Sequence, residues 1–136
     1  MNITAIIIGL LRNSVDIRTA LGATSANDCP VFATFNFEDT CTKQINVDLG
    51  KGKTSPIDKE VHDGDVRVYI LVKDTIDEPL KTLNNIGDKV LDVLDLSGSE
   101  ESSSLYWLQK TDSDFTHYAD IHFYELTITF RFVIRD

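Results

Sequence analysis

Apolar residues recur at helical spacing near the start of the chain. Ile3, Ile6, Ile7, Leu10 and Leu11 share one stripe, and Gly22 is placed to stop the segment. The pattern predicts helix over residues 2–21. Gly9 and the β-branched run at Ile6 to Ile8 weaken it, and a kink near Asn13 and Ser14 leaves open one helix or two short ones. Ile8 widens the stripe, so this helix is expected to touch more than one neighbour, a sheet or another subunit.

Beyond a polar stretch at 23–30 the period changes to two. VFATF (31–35) and KQINVDL (43–49) read as strands, the second alternating Ile45, Val47 and Leu49 with polar residues, and the two are expected to pair as a hairpin. GKGKTSPIDKEVHDG (50–64) reads as a long exposed loop. DVRVYILVK (65–73) then places Val66, Val68, Ile70 and Val72 on one face and Arg67, Tyr69, Leu71 and Lys73 on the other, the pattern of a central strand. Asp77, Glu78 and Pro79 mark a helix start, and Leu80, Leu83, Gly87, Val90, Leu91 and Leu94 fall on one stripe, predicting helix over about 78–94. SGSEESSS (97–104) is a polar connection, 105–110 a strand and TDSDFTHYAD (111–120) a turn region. In the closing strand Leu126, Ile128, Phe130, Phe132 and Ile134 alternate with Glu125, Thr127, Thr129, Arg131 and Val133. This order predicts an α+β fold: a mostly antiparallel sheet of about five strands, packed on one side against the N-terminal helix and the helix near 78–94.

Composition narrows what such a domain can do. With 136 residues and 42% hydrophobic content, one domain with a contiguous core is expected over 1–136. A net charge of −9 disfavours a surface that grips nucleic acid or an anionic membrane, since both need clustered Lys and Arg. The acidity is local: between Asp74 and Glu101 eight acids face only Lys81 and Lys89, a formal −6. Cys29 and Cys41 form no CxxC pair and read as free thiols in a reducing cytoplasm. A single disulfide between them stays open, because sequence does not give their Cα separation. The apolar run in MNITAIIIGLLR has no preceding Lys or Arg and is shorter than the roughly 20 residues of a membrane span, so neither a signal peptide nor a span is expected.

No catalytic, metal or cofactor site is expected. GKGKTS (50–55) has the end of a phosphate-binding loop, but Val47 stands where its first glycine would be and Pro56 interrupts any following helix. His62, His117 and His122 lack the local pairing of zinc ligands, and His117 and His122 would face opposite ways if both were extended. No serine lies in a nucleophile elbow, and neither cysteine has a catalytic signature. Asp112 and Asp114 suit side-chain to backbone bonding in a turn. Asp88, Asp92 and Asp95, at i, i+4 and i+7, repel mildly along a helix face. The C-terminal aromatic residues Tyr106, Trp107, Phe115, Tyr118, Tyr124, Phe130 and Phe132 read mostly as core. Phe123, across from Leu126, is a candidate for a subunit interface.

The order of elements, with DVRVYILVK and the closing YELTITFRFVIRD, resembles the tail terminator (tail completion) proteins of long-tailed bacteriophages across most of the chain. The resemblance implies a structural virion protein and no enzyme. Its expected form is a homo-oligomeric ring, generally hexameric, at the head-proximal end of the tail tube, ending tube polymerisation and joining tail to neck. The implied location is the virion tail or neck, assembled in the host cytoplasm, and the implied partners are further copies, the tail tube protein and neck proteins. DNA would pass through without specific binding, so the resemblance makes Asp88, Asp92, Asp95, Glu100 and Glu101 a candidate acidic lumen lining. Lys51, Lys53, Lys59 and Asp63 become a candidate contact loop for neighbouring subunits or the tube. A neck head-closure or adaptor protein is the alternative within that class, and a small ligand-binding module or enzyme subunit the alternative outside it.

Overall fold

Asn13 and Ser14 divide the N-terminal stripe into two helices in the computed structural model, which describes residues 3–33, 40–54, 61–94 and 105–135, with backbone alone at 50–54, 61–62, 105–106 and 135. Helix α1 spans Ile3–Arg12 and α2 spans Val15–Leu21. Ser14 adopts an extended backbone, and its hydroxyl accepts the Ile17 N–H at 3.3 Å, satisfying one orphan donor of α2. At the other end Gly22 takes φ 76°. Its N–H reaches the Thr19 carbonyl at 3.2 Å and that of Ala23 the Arg18 carbonyl at 2.8 Å, the paired bonds of a Schellman motif. The elbow lets Ile3, Ile7 and Leu11 of α1 and Ile17 and Leu21 of α2 all enter the core.

Among the described residues, five strands form one sheet: β1 Val31–Ala33, β2 Lys43–Thr54, β3 Val61–Lys73, β4 Leu105–Tyr118 and β5 Phe123–Arg135, in the order β1-β2-β3-β5-β4. The strand built on DVRVYILVK is central as expected, paired to β2 on one side and along its whole length to β5 on the other. Rows of directly opposed residues such as Val47, Val68 and Ile128 cross three strands and carry the core. Each such aliphatic, fully removed from water, contributes roughly 1.5–3 kcal/mol.

Helix α3, Pro79–Leu94, covers that face by burying Leu83, Ile86, Gly87, Val90 and Leu94. A Cβ on Gly87 would lie 2.7 Å from Leu126 Cδ2, so the missing side chain is what lets α3 sit down on β5. Leu80, expected on the buried stripe, is exposed, because it lies in the first turn and to one flank of the buried stripe. Arg12 ties α1 to the sheet, its guanidinium donating to the Val31 carbonyl from Nε at 3.0 Å and from Nη2.

Three expectations are corrected. β1 and β2 pair in parallel, Val31 opposite Ile45, and not as a hairpin. Alternation has the same period read in either direction, so it locates a face but not a strand's sense. The 50–64 stretch is largely strand: β2 continues to Thr54 and β3 begins at Val61, with Gly52 opposite Gly64 and a register shift between Leu49 and Gly52. Glycines here accommodate a bulge, and ladder bonds use backbone groups whatever the side chains. TDSDFTHYAD is strand up to Tyr118, the turn being confined to 119–122. β4 is an edge strand with every side chain from Gln109 to Phe115 exposed, so it shows no apolar alternation.

Candidate functional site

The two sides of α3 differ in chemistry. Successive helical residues turn by roughly 100°, so Glu78, Lys81, Thr82 and Lys89 fall on one flank, and Leu80 and Leu91 on the other side of the buried stripe. The first flank meets α2 across an open cleft of about 570 Å³, whose walls include Asp16, Lys43, Glu78, Lys81 and Lys89. Lys81 approaches Glu78 at 3.7 Å, while half-buried Lys43 and Lys89 form no ion pair with a described residue. Three lysines against two carboxylates leave these walls formally positive in a chain of net charge −9.

The second flank looks toward β4. Phe115 is 51% exposed on that edge strand and stacks on Tyr124 of β5 with ring centroids 5.7 Å apart. Leu80 and, in the β4–β5 turn, Ile121 are exposed as well. By register Phe115, opposite Leu126, is on the helix-covered face of β4, while exposed Asp112 and Asp114, opposite Thr129 and Thr127, are on the other face, and exposed Asp120 is in the turn. Asp112 accepts the N–H of Ser113 and Asp114 that of Phe115, each at 2.9 Å, so the expected side-chain to backbone bonds form within a strand. The turn end of the hairpin is clasped to the end of β3. Asp74 meets His117 Nε2 at 2.8 Å and His122 Nδ1 at 3.4 Å, and its N–H donates to the His122 carbonyl at 2.9 Å. The two histidines thus converge on one carboxylate because His122 takes a left-handed turn conformation, φ 62°, and not an extended one. Among the described residues no group of three His, Cys, Asp or Glu side chains is arranged to hold a metal ion.

The face of the sheet turned away from the helices carries a buried polar row. Gln44, Leu71 and Glu125 are opposed on β2, β3 and β5, and all three are buried, as is Asn46, whose amide donates to Gln44 Oε1 at 3.4 Å. Glu125 Oε1 accepts from the Tyr118 and Thr127 hydroxyls, both at 3.2 Å, while Oε2 is buried with no hydrogen-bond partner. Burial pushes the Glu125 carboxyl above its ordinary range, against the lowering effect of the two hydroxyls. Tyr118 is also raised, by burial first and then by Glu125. Phe123, on this face, is fully buried and therefore does not present an aromatic surface to a partner. Asp28 is the opposite electrostatic case: the Thr24 and Ser25 hydroxyls and N–H groups surround it and hold it well below the carboxylate range.

The candidate contact-loop residues separate. Lys51 and Lys53 belong to β2, with Lys53 opposite Asp63 in register; Asp63 accepts from Arg131 Nη2 at 2.9 Å, and Lys59 lies outside the described residues. Of the candidate lumen acids, Asp88 and Asp92 are exposed on α3, and Asp95, Glu100 and Glu101 lie outside the described residues. Cys29, buried, and Cys41, half-buried, are free thiols, and burial raises the Cys29 thiol. No helix is long and apolar enough to cross a membrane among the described residues.

No family model and no curated sequence matches the chain. Among solved structures it is similar to a protein in the virion of a native gene transfer agent particle, with TM-score 0.71, 15% identity, and coverage of 98% of this chain and 95% of that one. The two share a fold. The likeness runs through nearly the whole of both chains, so it includes the edge hairpin and the helical layer. Sequence reading missed the lysine cleft and the Glu125 row because both are assembled from elements distant in the chain. The alternation that put Glu125 opposite Leu126 was a signal for its face, but its burial is not written locally.

Proposed function

We propose that this chain is a structural virion protein of the tail-terminator kind. In this reading it forms a homo-oligomeric ring, of order six by analogy with such proteins, at the head-proximal end of a tail tube, where it stops tube growth and joins tail to neck. The supporting observation is the fold shared, end to end, with a protein of a gene transfer agent virion. Exposed Asp88 and Asp92 on α3 suit a wall past which DNA slides, since like charge keeps phosphates from adhering. The protein does no chemistry in this reading; its partners are its own copies, the tube protein and neck proteins.

Deleting the gene tests the assignment. Tails of irregular length that fail to join heads are the expected phenotype in electron micrographs. Normal tail length with heads unjoined would reassign the chain to head closure or adaptation in the neck, and normal length with normal joining would overturn a role in the tail altogether.

A further inference from the structure

We propose that the acidic, apolar edge of the β4–β5 hairpin seats in the lysine-lined α2–α3 cleft of a second copy of this chain. The inference rests on the ring reading and supplies the contact that reading lacks. Its first support is complementarity: the hairpin's exposed Asp112, Asp114 and Asp120 would meet a cleft that is formally positive by one charge, with Lys43, Lys81 and Lys89 against Asp16 and Glu78. Lys43 and Lys89 are half-buried without an ion pair to any described residue, so they are placed to accept carboxylates from outside. The hairpin adds Phe115, 51% exposed on the opposite face of β4 from the two aspartates, and Ile121, 42% exposed in the turn, so a cleft that takes the edge of the strand would remove apolar surface from water on the face without the acids.

Its second support is position. The cleft lies on the α2 side of α3 and the hairpin on the β4 side, so the two surfaces do not overlap. Each copy can engage one neighbour with its hairpin and another with its cleft, which is the heterologous, head-to-tail contact that a closed ring requires. The contact is made by side chains and not by extending the sheet. β4 is an edge, but Asp112 and Asp114 already take the N–H groups of Ser113 and Phe115, and register shifts after Leu105 and Lys110 interrupt the ladder an added strand would need.

Charge reversal with mixing tests this. One variant carries Asp112→Lys with Asp114→Lys, the other Lys43→Glu with Lys89→Glu, and mass is read by analytical ultracentrifugation. Each variant alone should fall to the mass of a single chain while keeping its circular dichroism spectrum. An equimolar mixture should recover the assembled mass, because the hairpin of each then meets an opposite cleft. Recovery also shows that both variants are folded, and the milder pair Asp112→Asn with Asp114→Asn should give a partial loss that deepens with salt. A wild type that remains a single chain at every concentration would overturn the ring reading and this contact together. An assembled wild type whose mass is unchanged by either reversal, or folded variants that do not recover on mixing, would overturn the contact alone.

Discussion

The two faces of the sheet both bury residues near its centre, yet by different means. Under the helices, Val66, Val68, Ile70, Ile128 and Phe130 form a continuous aliphatic and aromatic layer with no polar atom to satisfy. On the far face Gln44, Asn46 and Glu125 are just as enclosed, but Glu125 leaves one oxygen unpartnered. The first face gains free energy from every atom it hides. The second gains only where hydrogen bonds replace those given up to water, and a charged group without that replacement costs stability. The difference separates residues that determine the fold from residues that tune its stability with pH.

Mutations at the two faces should therefore differ in sign. Phe130→Ala on the helix-covered face should have the largest effect, a loss of about 3–5 kcal/mol for a large cavity, read as a lower denaturant midpoint. Gly87→Val should follow with a loss of about 1–3 kcal/mol, since its branches would press on Leu126 where α3 meets β5. An unchanged midpoint for Gly87→Val would mean that α3 stands further from the sheet than described.

Glu125→Gln on the far face should stabilise by about 1–2 kcal/mol at neutral pH, because it removes a carboxyl whose ionisation burial penalises and keeps an acceptor for Tyr118 and Thr127. Folding raises the Glu125 pKa, so the folded state holds its proton more tightly than the unfolded chain. That contribution is complete below the ordinary glutamate value of 4.5 and is lost as pH rises through the higher folded value. The gain from Glu125→Gln should accordingly grow over that window and then level off in pH-resolved denaturant titrations. A gain independent of pH would show that the carboxylate is solvated.

The smallest effect belongs to the elbow of the helical layer. Ser14→Ala should cost about 1 kcal/mol or less through the lost cap on α2, seen as faster amide exchange at Ile17 with β3 and β5 unaffected.

These outcomes bear on what the amino-acid order could disclose. The alternation in 65–73 and 121–135 made the central strands and their buried face legible, because aliphatic burial leaves a period that can be read locally. Pro79 and the Leu83 to Leu94 stripe did the same for α3, and Asn13 with Ser14 marked the helical break. The edge strand β4 was not legible past Lys110, since an exposed strand needs only backbone pairing. The parallel sense of β1 was hidden because period two has no direction. Of the proposed contact, Asp112 and Asp114 stand out individually in the sequence, but the cleft draws Asp16, Lys43 and Lys89 from three separate elements. Its composition becomes visible only once α2, β2 and α3 are in place.

The sheet order carries a consequence for synthesis. β5 follows β4 in the chain but lies between β4 and β3. A ribosome delivers β4 before β5, its sole neighbour in the sheet among the described residues, and a β4 that docked early on β3 would occupy the wrong slot. The register shifts of β4 make it a poorer match for that place than β5, whose ladder with β3 runs unbroken from Phe123 to Arg135.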